Sequence, residues 1–199
     1  MDIVQQAMDF SREIFAEDAS GHDFYHTLRV YRLAARIAQE EGADMETVQL
    51  AALLHDVDDH KLSPDTAEGQ QRAAGFLLCR GMHEERIREI CGIISQISFS
   101  RNRGRPTTLE GMCVQDADRL DAMGAIGIAR AFAYGGSRGR AIHDPNGEDS
   151  ETTICHFYDK LLLLKDRMNT ESGRKLALER HRYLREFLEE FYGEWDGIR

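Results

Sequence analysis

An all-α fold is predicted for this chain by three observations. Its three prolines, Pro64, Pro106 and Pro145, each sit in a polar patch between long apolar-periodic segments, where helix breakers belong. Those segments repeat apolar residues at helical spacing, and none shows the strict alternation of a half-buried strand. With 199 residues, 42% of them hydrophobic and 30% charged, the chain is sized to bury one core or two closely packed lobes.

Taken in order, Val4, Ala7, Met8, Ile14 and Phe15 fit a short amphipathic helix over Val4 to Phe15. Leu28, Val30, Leu33, Ala34, Ile37 and Ala38 give a clearer second helix, ended by Gly42. Asp44 is the N-cap expected for Met45 to Val57, which is apolar on nearly every side and so reads as a buried central helix. Asp65 with Glu68 has the form of a capping box for a helix through about Arg80, with Gly81 as its stop. The next helix covers about His83 to Ile97. Thr107 with Glu110 predicts another N-terminal cap, opening a segment through Ile128 with a kink near Gly124. After the Gly-rich, charged stretch Gly135 to Ser150, two helices are expected, Glu151 to Met168 and Ser172 to Tyr192, the second capped by Thr170.

The chain carries 35 acidic against 25 basic residues, a net charge of -10. That balance disfavours a nucleic-acid backbone or an anionic membrane as the main partner, since both need a summed positive field. A small anion held by a local site remains compatible with it. Cys79, Cys91, Cys113 and Cys155 lack zinc-ribbon spacing and read as reduced thiols. No stretch approaches the ~20 apolar residues of a membrane span, and the N-terminus lacks an apolar leader run, so a cytoplasmic location is expected.

Ionisable residues are unusual at the end of so apolar a helix, yet the run AALLHDVDD delivers His55 and Asp56 side by side. Two readings stand on these residues alone. A divalent cation compensates both groups by coordination. Alternatively the helix simply ends there, with His55 against the last carbonyls and Asp56 in water.

Partners elsewhere favour the first reading. An H-x-x-R-V segment, His26 to Val30, precedes the dipeptide, and an A-D-R-L-D segment, Ala117 to Asp121, follows it. The order His26, His55-Asp56, Asp118 resembles the signature of the HD-domain metal-dependent phosphohydrolase superfamily. The contexts GHDFYHTLRV, LLHDVDDHKL, ISFSR, VQDADRLDAMGAIGIARAFAYGG and HFYDKLLLLKDRMNT resemble its bacterial YedJ/YpgQ-like branch, over about Met1 to Tyr192.

The resemblance implies one HD domain over 1–199, a helical bundle with additional C-terminal helices, its metal-binding core at about 20–130 and a C-terminal helical part at about 150–192. It implies His26, His55, Asp56 and Asp118 as ligands of one divalent ion, Mn, Fe, Co, Ni or Mg. Two neutral imidazoles and two carboxylates sum to a charge that neutralises such an ion and leaves positions open in an octahedral shell. His22 is the weaker candidate one turn before His26, and Asp116 the weaker one beside Asp118. Asp121 is expected to accept a hydrogen bond behind the site or to lie on the surface.

At the offset where related enzymes activate water, the resemblance gives Asp59 the role of general base. Phosphate needs further positive groups, and Lys61, Arg119 and Arg140 are the candidates, with Arg138 beside Arg140 in the loop GGSRGRAIHDP. CGIISQISFS contains no histidine, which favours one metal over two. The implied activity is metal-assisted hydrolysis of a small phosphorylated metabolite. The favoured form is cleavage of a (deoxy)nucleoside triphosphate to monophosphate and pyrophosphate. Nucleoside monophosphatase or cyclic nucleotide phosphodiesterase chemistry follows behind, and a non-catalytic nucleotide-sensing module is the alternative of another class. A homodimer is the assembly expected, with no residue assigned to it.

Overall fold

The computed structural model describes residues 2–16, 23–58, 70–97 and 104–199, and among these every regular element is helical. Two compact units divide the chain, Met1–Asp118 and Arg119–Arg199.

The first unit is organised around α3 (Met45–Leu54), which packs on α1 (Ile3–Ile14), α2 (Phe24–Glu41) and α5 (Glu84–Ser95). Leu50, Ala51, Ala52, Leu53 and Leu54 are all fully buried, as the all-round apolar pattern requires of a central helix. A buried Ser11 hydroxyl on α1 donates to Leu53 O at 2.6 Å. Local chemistry sets both ends of the neighbouring helices. Asp23 caps α2 by accepting the His26 N–H at 2.8 Å, and Gly42 closes that helix at φ 75. Asp44 caps α3, accepting from the backbone and hydroxyl of Thr47 and from Arg86.

Three sequence expectations shift. Helix α3 ends at Leu54 rather than Val57, and residues 55–58 form a turn. Helix α4 (Gln71–Cys79) does stop before Gly81, but the Asp65–Glu68 box lies outside the described residues. What holds the start of α4 is Asp58, whose carboxylate accepts the Arg72 and Ala73 N–H groups at 3.1 and 2.9 Å. Helix α6 (Leu109–Asp121) begins after Thr108, whose hydroxyl accepts the Gly111 N–H at 3.1 Å. Thr107 instead donates its N–H to Gln96 Oε1, and Glu110 accepts the Asp44 N–H, so longer-range partners outbid the local box.

The kink near Gly124 is a full break between α6 and α7 (Gly124–Ser137). Gly124 takes φ +69, where a Cβ would also lie 3.2 Å from Arg180 Cγ. In the second unit, the single helix expected over 151–168 is divided at Lys160 into α8 (Thr153–Asp159) and a 3₁₀ segment, Leu161–Arg167. Thr170 caps the final helix α9 (Glu171–Trp195) through the Gly173 N–H. Phe132, Phe157 and Phe187 form the aromatic centre of this unit, with ring centroids 5.7 to 5.9 Å apart. No helix among the described residues is long and apolar enough to cross a membrane.

Candidate metal centre

The first unit carries all four motif residues. His26 sits in the first turn of α2, whose capping by Asp23 sets where that turn begins, and it is 1% exposed. His55 and Asp56 leave the end of α3 on the 55–58 turn. Asp118 comes from α6, beside the buried Ala117 and Val114.

These side chains converge. One ligand atom each from His26, His55 and Asp118 lies within 4.8 Å of the other two. Asp56 Oδ2 stands 3.5 Å from His26 Nε2 and 3.2 Å from His55 Nε2, and Asp118 Oδ1 is 3.5 Å from His26 Nε2. The two imidazoles meet edge to face at 5.5 Å.

Electrostatics and hydrogen bonding both point to a cation here. His55 Nδ1 lies 2.8 Å from Ala52 O, so the ring donates there and turns the Nε2 lone pair toward the carboxylates. That Nε2 is buried and makes no aligned hydrogen bond among the described residues. Burial opposes charge on the ring, but the carboxylates of Asp56 and Asp118 outweigh it and raise the His55 pKa to about 9. A position that draws a proton this strongly offers the same field to a divalent ion, and mixed imidazole and carboxylate donors suit one. The residues present therefore fit the metal that the motif implies.

Asp59, Lys61 and the alternative ligand His22 lie outside the described residues. Asp116 is fully buried, while Asp118 keeps a quarter of its side chain exposed beside the imidazoles. Arg119, in the second unit, is 6% exposed and donates to Arg167 O, so this donor supports the main chain. Asp121 is a hydrogen-bond acceptor rather than a surface charge. It is 1% exposed and pairs with Arg130 at 2.5 Å. Arg140 is half-buried near Tyr134, its guanidinium carbon 5.7 Å from the ring centroid.

Two contributors escaped the sequence reading. Asp58, the acidic residue between Asp56 and Asp59, is 6% exposed and spends its carboxylate on α4. Arg180 donates to Leu120 O at the end of α6, across 60 positions of sequence. Neither interaction leaves a local signature. All four cysteines are free thiols; Cys79 is exposed, Cys91 and Cys155 are half-buried, and burial pushes the Cys113 thiol up to about 12.

Residues 23–123 match the model of the HD domain family. YpgQ of Bacillus subtilis is 41% identical over 98% of this chain and 94% of its own length. An HD-superfamily hydrolase from Bacillus thuringiensis superposes with a TM-score of 0.83 at 41% identity, covering 97% of this chain and 96% of that one. The structure of Bacillus subtilis YpgQ in complex with ADP gives a TM-score of 0.81 at 34% identity over 98% of this chain and all of that one.

Proposed function

The chain belongs to the HD domain family and is a phosphohydrolase of that superfamily, and from this premise we propose that it cleaves a nucleoside triphosphate to the monophosphate and pyrophosphate. His26, His55, Asp56 and Asp118 hold one divalent cation in this reading, with Mn, Fe, Co, Ni and Mg the candidates. When bound, the cation supplies Lewis acidity at a phosphoryl oxygen and eases loss of a proton from water.

The protein's own groups do the rest. Ala52 O accepts from His55 Nδ1, so the proton that a cation would displace is the one on Nε2, whose lone pair would then face the cluster. Asp56 and Asp118, with side chains 15% and 24% exposed, are the members of the cluster that face solvent, and the substrate enters from their side. Asp59, three residues beyond Asp56, is assigned the proton from the attacking water. The oxygen of that water bonds to the α-phosphorus, the bond to the bridging α-β oxygen breaks, and pyrophosphate leaves with the electron pair. Lys61 and Arg140 are assigned to the phosphates.

The observation that carries this reading is the convergence of the His26 and His55 imidazoles with the Asp118 carboxylate, beside which Asp56 Oδ2 lies 3.5 and 3.2 Å from the two imidazole Nε2 atoms. The ADP bound by the Bacillus subtilis relative supports a nucleotide as the ligand class. The test is a metal-loaded hydrolysis panel over nucleoside triphosphates, monophosphates and cyclic nucleotides, run beside His55→Ala and Asp118→Ala. Pyrophosphate release by the wild type alone is expected. Turnover that survives both substitutions defeats the ligand assignment, and an inert wild type that retains its metal turns the reading to a nucleotide sensor.

A further inference from the structure

Three of the four candidate ligands come from helices that pack directly on one another, since α2 carries His26 and α3 runs into His55 and Asp56. The fourth, Asp118, depends on the placement of a separate helix, α6. Metal ligands have to be held within about 0.5 Å of their working geometry, so whatever places α6 bears on the centre.

One face of α6 does the placing. Gly111, Gln115 and Asp118 are spaced by four and then three residues, which aligns them along one side of the helix. At Gly111 the helix comes in close: a Cβ there would lie 2.9 Å from Pro106 Cβ and 3.6 Å from Ile93 Cγ2 on α5. One turn later Gln115, 1% exposed, donates from its amide nitrogen to Gln96 O at 2.9 Å and to Gly104 O at 3.2 Å. One turn after that, Asp118 Oδ1 stands 3.5 Å from His26 Nε2.

The acceptors of Gln115 are themselves held. Gln96 is the C-cap of α5, where carbonyls lack partners within the helix, and α5 packs on α3. The Gln96 side chain donates to Gly92 O at 2.8 Å and accepts the Thr107 N–H at 3.0 Å, which ties the chain leading into α6 to the same helix end. A carboxamide suits the task, because one nitrogen carries two donors and the group is neutral, so its burial costs no desolvated charge.

We propose that Gln115 is a positioning residue for the metal centre. By spanning Gln96 O and Gly104 O it sets the rotation and height of α6, and through them the place of Asp118 against His26. It acts through Asp118, and the inference rests on the reading of Asp118 as a ligand.

Gln115→Met keeps the length of the side chain and removes both donors. Gln96 is half-buried and Gly104 exposed, so water can take over the two carbonyls, and circular dichroism should show an intact fold. Gln115→Asn, too short to span both acceptors, serves as the second variant should the first not fold. Calorimetry of the metal-free full-length protein with Mn²⁺ is expected to show at least tenfold weaker binding in either variant. The visible spectrum of the Co²⁺-loaded protein should move toward that of Asp118→Ala. Thr170→Ala, which removes the α9 cap in the second unit, should bind Mn²⁺ as the wild type does. On an Asp118→Ala background, Gln115→Met should change the residual Mn²⁺ affinity by less than about twofold. Wild-type affinity and spectrum in the Gln115 variants overturn the proposal, as does a full-sized Gln115 effect on the Asp118→Ala background or an equal loss in Thr170→Ala. Wild-type affinity in Asp118→Ala itself defeats the ligand reading and this inference together, whereas loss there beside intact binding in the Gln115 variants defeats this inference alone.

Discussion

Replacing Asp58 by alanine removes the only side-chain acceptor seen at the start of α4 among the described residues. The residue at the capping position, Gln70, sits at φ 52 and makes no side-chain cap bond. The two N–H groups at Arg72 and Ala73 therefore depend on Asp58, and the Ala73 bond is buried. A lost helix cap costs about 0.5–2 kcal/mol, and a hydrogen bond to a charged group contributes about 1.5–3. Water can reach Arg72 more easily than Ala73, so the full sum is not expected. We anticipate a loss of about 2–3 kcal/mol for Asp58→Ala and about half that for Asp58→Asn, which keeps one acceptor oxygen. For a chain of this size that corresponds to roughly 5–10 °C in Tm. Urea unfolding of the metal-free protein, followed by circular dichroism, measures the loss. Amide exchange at Arg72 and Ala73 tests whether it is local to α4. An alanine variant within about 0.5 kcal/mol of wild type, or an asparagine variant as damaged as alanine, would refute the assignment.

Further outcomes follow from other parts of the structure. His55→Ala and Asp118→Ala should each lower metal content, read by elemental analysis, and reduce kcat/KM at least ~100-fold. Hydrogen bonds from Thr47, then Arg86, hold the Asp44 pKa at about 2, below its usual 3.8. Its contribution to stability is complete above about pH 4 and disappears as pH falls toward 2, so Asp44→Asn should flatten that part of a stability-pH curve. Because Asp44 is half-exposed, the cap as a whole contributes only about 1 kcal/mol. In α7, Gly127→Ala would place a Cβ 2.4 Å from the Ala122 carbonyl, whereas Gly136→Ala meets nothing within 4 Å. The first should destabilise by about 2 kcal/mol or more and the second should be neutral or stabilise by up to ~1, as thermal unfolding would report.

What the sequence revealed of this fold follows the range of the interactions involved. Asp44 and Thr170 are caps because each reaches an N–H three residues ahead, a geometry written in the local sequence. The buried character of α3 is equally local, since an apolar surface on every side leaves no face for water. The metal-centre candidates were found as an ordered motif, not from spacing, because His26 and Asp118 come from helices remote in sequence. The cap from Asp58, the Asp121–Arg130 pair and the Arg180 contact to Leu120 O were missed because their partners are 9 to 60 positions away. The break at Lys160 is a related case, since the periodicity of 151–168 is compatible with an unbroken helix and the packing on α9 is not written in it.

The early end of α3 is the departure with the greatest chemical consequence. In a regular helix, successive side chains project about 100° apart, so adjacent residues do not face one another. His55 still has helical backbone angles, φ -62 and ψ -31, so the departure begins after it. Residues 55–58 form a turn, and His55 Nε2 comes within 3.2 Å of Asp56 Oδ2. Such a turn lacks the hydrogen-bond ladder that would fix its shape, and side chains supply the restraint instead. Ala52 O holds the His55 ring, the fully buried Val57 anchors the middle, and Asp58 ties the far end to α4. An apolar helix thus delivers the two polar residues to the cluster without burying them in its own core.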